Sequence, residues 1–166
     1  RDIRHVRRLS VGAVYSVSVL ETVAGLPVHP LIVHAAVVLV PLVALGAILM
    51  AVWPRFSRRF GVLVAIMGGA ALVASALAKL SGEQMAERVG LPERHAELAD
   101  RMPLVVLLLA GLVLALWLLD RGIPTTRSRP GWVIALAAVT VIVSVGAVYW
   151  TFLVGHSGAE SVWMGR

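Results

Sequence analysis

Residues 22–54, TVAGLPVHPLIVHAAVVLVPLVALGAILMAVWP, contain no Asp, Glu, Lys or Arg. A helix needs about 20 apolar residues to cross a ~30 Å hydrocarbon core, and this run exceeds that. Three further stretches, 60–78, 102–119 and 130–159, are also free of those four residue types. The whole chain is 59% hydrophobic and 14% charged, with a mean hydropathy of +0.89. A soluble domain of 166 residues has too little interior to hide that much apolar surface. A bilayer offers no water to the backbone, so each span must close its own hydrogen bonds as helix. The expectation is an all-α polytopic membrane protein: a four-transmembrane-helix bundle with spans near 30–53, 60–80, 102–120 and 131–154. The bundle would occupy residues 25–166, behind an N-terminal arm, 1–24, of uncertain order.

Charge sets the expected orientation. The loop PRFSRR after the first span carries Arg55, Arg58 and Arg59 and no acid. The loop from Asp120 to Pro130 carries Arg121, Arg127 and Arg129. The stretch 79–101 balances four bases with five acids. The positive-inside rule then puts the two Arg-rich loops in the cytoplasm, and both termini outside an inner (cytoplasmic) membrane. Trp53, Trp117 and Trp132 fall at the cytoplasmic ends, where interfacial aromatics collect. The net charge of +6 follows from these loops and the arm RDIRHVRR. It reads as topology and attraction to anionic lipid, so a nucleic-acid partner is not expected.

The second span is rich in small residues (Gly68, Gly69, Ala70, Ala71, Ala74, Ser75, Ala78), which predicts close helix approach and a central place in the bundle. Pro41 should kink the first span, because it cannot donate an amide to the carbonyl of Val37. Pro103 is suited to open the third span.

The chemistry-bearing residues are histidines. At ~1.5 Å per helical residue, His29, His34, His95 and His156 all lie roughly 28–37 Å from the cytoplasmic ends of their spans. Four of the five histidines thus gather at the outer boundary, from three segments. Rim positions such as His29 and His156 tolerate an imidazole with no special role. His34, about a turn inside an uncharged run, should instead face the bundle and find a partner, and Asp100 at matching depth would serve as a supporting carboxylate. Imidazoles on facing helices are the ordinary way to hold a b-type haem. Three or four of them would also bind Zn or Cu, although His29 and His34 differ by roughly 140° around a helix.

Other chemistry has little support. The chain has no cysteine, which removes thiolate metal sites and cysteine-ligated iron–sulfur clusters. GHSGAES at 155–161 is not a nucleophile elbow, since position 159 is alanine. HExxH and phosphate-binding loops are missing, and so are the buried charges that a proton relay strings through its spans.

GLPVHPLIVHAAVVLVP, ERHAELADRMP and GHSGAESVW together resemble a large family of predicted bacterial membrane proteins, domain of unknown function two-two-three-one, over residues 25–166. The opening HPxxVH and the closing GHSGxxSVW are its most specific parts. The resemblance implies four membrane helices with no established reaction, and His29, His34 and His95 as motif histidines. Relatives fused to Rieske domains imply redox work. This chain has Ala35–Ala36 where many relatives have Phe-Pro, and some relatives carry Asp where it has His156.

The leading expectation is a membrane electron-transfer subunit holding one haem b near the outer face. Its axial ligands would be His34 and His95, supported by His29 or His156, and it would exchange electrons with a quinone pool or a redox protein. The alternatives are a non-catalytic scaffold or assembly subunit, in which His34 and Asp100 form a buried pair, and a metal-binding membrane protein.

Overall fold

A computed structural model describes residues 22–23, 26–89 and 93–163. Apart from Thr22 and Val23, the N-terminal arm lies outside the described residues. The elements are β1 (Thr22–Val23), β2 (Leu26–Pro27), α1 (Val28–Val52), α2 (Pro54–Val89), α3 (Glu93–Gly122) and α4 (Gly131–Trp163). The two short strands pair antiparallel, Thr22 with Pro27 and Val23 with Leu26. This ties down the chain just before the first helix.

The helices form a four-helix bundle, and each contains a stretch long and apolar enough to cross a membrane. Their outer faces are those of a lipid-facing protein. Leu107, Ile142, Val145 and Phe152 are all exposed, which water would penalise and hydrocarbon does not. The core runs along the bundle through Val40, Val43, Ala47, Met50, Val106, Leu109, Val113 and Leu116. Three buried hydroxyls of α4 are satisfied within their own helix: Thr140 donates to Leu136 O, Ser144 to Thr140 O and Thr151 to Ala147 O, at 2.7–2.8 Å.

Only Trp53 separates α1 from α2. The stretch PRFSRR, expected as a loop, is the start of α2, because Pro54 needs no amide partner in a first turn. The stretch 79–101 is likewise mostly helix, and α3 runs through Pro103 instead of starting there. The closing motif GHSGAESVW is helical to Trp163. These helices extend beyond the hydrocarbon: α2, with 36 residues, is about 54 Å long.

Packing follows a ring. The α1 helix touches α2 and α4, α3 touches the same two, and α1 meets α3 across the short diagonal. Small residues do bring helices close: a Cβ on Gly68 of α2 would lie 3.3 Å from Ala110 Cβ on α3, and one on Gly46 of α1 2.9 Å from Val64 on α2. Yet α2 is not the central helix. The α1 span is 44% buried against 33% for α2. Gly69, Ala70 and Val73 leave one face of α2 turned outward. Small side chains permit close approach on one side without enclosing the helix on the other.

At the arginine-rich end, Asp120 is fully buried and paired with Arg129. The guanidinium bonds both carboxylate oxygens, at 2.8 and 2.5 Å. It also donates to the carbonyls of Met50 and Ala51. One side chain from the α3–α4 connection thus caps the C-terminus of α1, whose last carbonyls have no helical donors.

Candidate functional site at the histidine end

The opposite end of the bundle carries two matching side-chain pairs. His29, the second residue of α1, places Nδ1 3.0 Å from Ser81 Oγ on α2. His95, the third residue of α3, places Nδ1 3.0 Å from Ser157 Oγ on α4. The hydroxyl of Ser81 donates to Ala78 O at 3.1 Å, and that of Ser157 to Val154 O at 3.0 Å. A serine has one hydroxyl proton, and here it is directed back along its own helix. Towards the imidazole each oxygen therefore accepts, so Nδ1 carries the hydrogen. The neutral ring then presents its lone pair at Nε2. That is the tautomer a metal or haem iron takes, with the second nitrogen anchored to an acceptor.

The glycine after each serine completes the likeness. A Cβ on Gly82 would lie 3.1 Å from Cε1 of His29, and one on Gly158 3.0 Å from Cε1 of His95. Each imidazole thus packs with its Cε1 close against a helix at a Ser-Gly step. The two hairpins, α1–α2 and α3–α4, repeat one design: a histidine at the start of the first helix and Ser-Gly near the end of the second. Because α1 and α3 share the short diagonal, the two histidines come from the helices that meet at the bundle centre. One turn past Ser81, Gln84 leaves its amide oxygen buried with no partner among the described residues.

His34, the expected first ligand, is exposed, and its Nδ1 lies 2.5 Å from Pro30 O. Asp100, its expected partner, accepts instead from Lys79, at 2.6 Å. Lys79 also reaches Glu83, at 3.0 Å, so this cluster clasps α2 to α3 on the surface. His156 is exposed beside Glu160, with Nδ1 3.5 Å from Oε1. It sits one residue before Ser157 but turns to another side of α4. So His29 and His95 occupy equivalent places on the two diagonal helices, each against a serine of its neighbour, while His34 and His156 are exposed. Among the described residues, no group of three or more His, Asp or Glu is placed to hold a metal ion.

Ser81 is not singled out by the sequence reading, and Ser157 enters it only as a rejected nucleophile, not as the anchor of a histidine. The signal was present as a repeated Ser-Gly dipeptide at the end of the second and fourth apolar runs, in AKLSGEQ and VGHSGAE.

The model of the predicted membrane protein family DUF2231 matches residues 25–166. The chain belongs to that family. The match takes in both hairpins and every member of the two His–Ser pairs, and starts just ahead of β2. No curated protein and no solved structure matches the chain.

Proposed function

We propose that this DUF2231 protein is a small membrane redox subunit that holds one b-type haem at its histidine end, where His29 and His95 would be the residues that hold it. The observation that carries the reading is the pair of equivalent anchors: each imidazole sets Nδ1 3.0 Å from a serine hydroxyl of the neighbouring helix. Two neutral imidazoles from two different helices are the donor set a low-spin haem iron takes. The orphaned amide of Gln84 would offer a polar contact at the edge of the ring system.

Bound there, haem supplies a one-electron couple. The chain's own residues supply position and surroundings. Ser81 and Ser157 fix ring rotation and tautomer, Gly82 and Gly158 let the imidazoles seat against the helices, and the apolar wall below keeps water out. The arginines at the other end (Arg55, Arg58, Arg59, Arg121 and Arg127) favour the cytoplasmic side, so the histidine end would face outward, with both termini, in an inner membrane. A quinone pool or membrane dehydrogenase on one side and an outer redox protein on the other are the partners this placement suits.

The test is a dithionite-reduced minus oxidised spectrum of protein purified from haem-replete cells. A b-type α-band that is lost in both His29→Gln and His95→Gln supports the reading. A flat spectrum from folded wild-type protein overturns it. Stoichiometric copper or zinc in such protein would reassign the imidazole pair to a metal ion.

A further inference from the structure

A second feature lies close to the imidazole pair but belongs to a different surface. Between α1 and α4 runs a groove of about 410 Å³, open towards the bilayer. Val37, Pro41, Val148 and Phe152 form its apolar walls. Gly155, without a side chain, leaves its upper end open, and a Cβ built there would meet nothing within 4 Å.

The polar groups in this groove have one character. Pro41 has no amide hydrogen, so the carbonyl of Val37 lacks its helical donor, and both residues line the groove. Thr151 spends its hydroxyl proton on Ala147 O, which leaves its oxygen as an acceptor. At the mouth stands His156, with Glu160 beside its Nδ1 and the Phe152 ring 5.7 Å away. No lysine or arginine lines the groove.

We propose that the α1–α4 groove binds an isoprenoid quinol, a neutral ring carrying hydroxyl donors on an apolar tail. The carbonyl of Val37 and the oxygen of Thr151 accept from a ring hydroxyl. His156 takes the hydroxyl at the membrane edge, and the tail leaves sideways along Val148 into lipid. Charge separates this ligand from the other occupant a membrane groove attracts. A phospholipid head needs cations or hydrogen donors for its phosphate, and here it would meet acceptors and the carboxylate of Glu160. The groove ends at Gly155, two residues from the Ser157 that anchors His95. A quinol seated there would be a near neighbour of the imidazole pair. The proposal gives a binding site to the quinone partner named above and rests on that reading for its redox role, but binding itself needs no haem.

The experiment is equilibrium binding of a short-chain ubiquinol, kept under argon, to the full chain in phosphatidylcholine nanodiscs. Saturable binding of one quinol per chain is expected. Gly155→Leu should weaken it by about tenfold or more by filling the groove. Gly69→Leu, at a second helical glycine whose Cβ also meets nothing, should leave it unchanged. His156→Leu provides an independent surface variant and should weaken binding if Gly155→Leu does not fold. Non-saturable binding, equal affinity in the groove variants, or retained phospholipid that quinol does not displace would each overturn the proposal. Because binding is read directly, a missing haem band would sink the redox reading without touching this one.

Discussion

His29 and Ser81 meet at 3.0 Å across the α1–α2 interface, and the serine proton is already directed to Ala78 O. The pair therefore fixes an imidazole tautomer as well as a contact. His95 and Ser157 repeat the relationship across α3–α4 at the same distance. Nitrogen-15 spectra of histidine-labelled protein should show two rings protonated at Nδ1 when neutral. Ser81→Ala should release the first and Ser157→Ala the second. Each loss should cost about 1 kcal/mol of stability and lower haem affinity by roughly 10–100-fold. Spectra showing the Nε2–H form in the wild type would contradict the assigned roles.

The Ser-Gly steps predict a second result. Gly82→Ala and Gly158→Ala place a methyl group against His29 and His95, so each ring must shift by a few tenths of an ångström. Both variants should fold yet perturb or weaken the bound chromophore. Gly111→Ala meets nothing within 4 Å and should instead stabilise its helix by about 0.5–1 kcal/mol. Thermal unfolding in detergent and haem titration read the two effects separately.

His34 gives a contrasting expectation. It is exposed and bonded only to the first turn of its own helix. His34→Gln should leave the visible spectrum unchanged, whereas His29→Gln and His95→Gln should abolish it. Loss of the spectrum in His34→Gln alone would return His34 to the ligand set.

At the other end, Asp120→Ala should be costly. It leaves the Arg129 guanidinium buried without its carboxylate, a loss of about 3–5 kcal/mol. Arg129→Lys should recover little, since an ammonium cannot span both carboxylate oxygens and the carbonyls of Met50 and Ala51 together. Equilibrium unfolding in mixed micelles measures both.

Close packing at Gly61 supplies the last test. A Cβ there runs into the Trp117 ring, so Gly61→Ala should destabilise by about 1–3 kcal/mol. Adding Trp117→Leu should relieve much of that loss, and the double-mutant cycle measures the coupling.

Much of this architecture was open to reading along the chain. Four uncharged runs, punctuated by Arg55–Arg59 and Arg121–Arg129, call for four helices and gather those arginines at one end of the bundle. Depth counting also brought His29, His34, His95 and His156 to one end. The choice among them was hidden. His34 drew attention because it lies deeper in the apolar run, but depth says nothing about rotation. Around α1, His34 turns to the periphery and His29 towards α2.

Composition and period alone thus determined that this protein spans a bilayer as four helices with its imidazoles at one end, because unpaired backbone and unpaired charge are too costly in hydrocarbon. Which imidazoles are anchored on a neighbouring helix was decided only by tertiary structure. It depends on the short α1–α3 diagonal and on two Ser-Gly steps, each of which supplies an acceptor and removes a side chain where a ring must lie. Arg129 shows the same division. Its sequence context reads as one more loop cation, and only the fold brings Asp120 and the end of α1 within its reach.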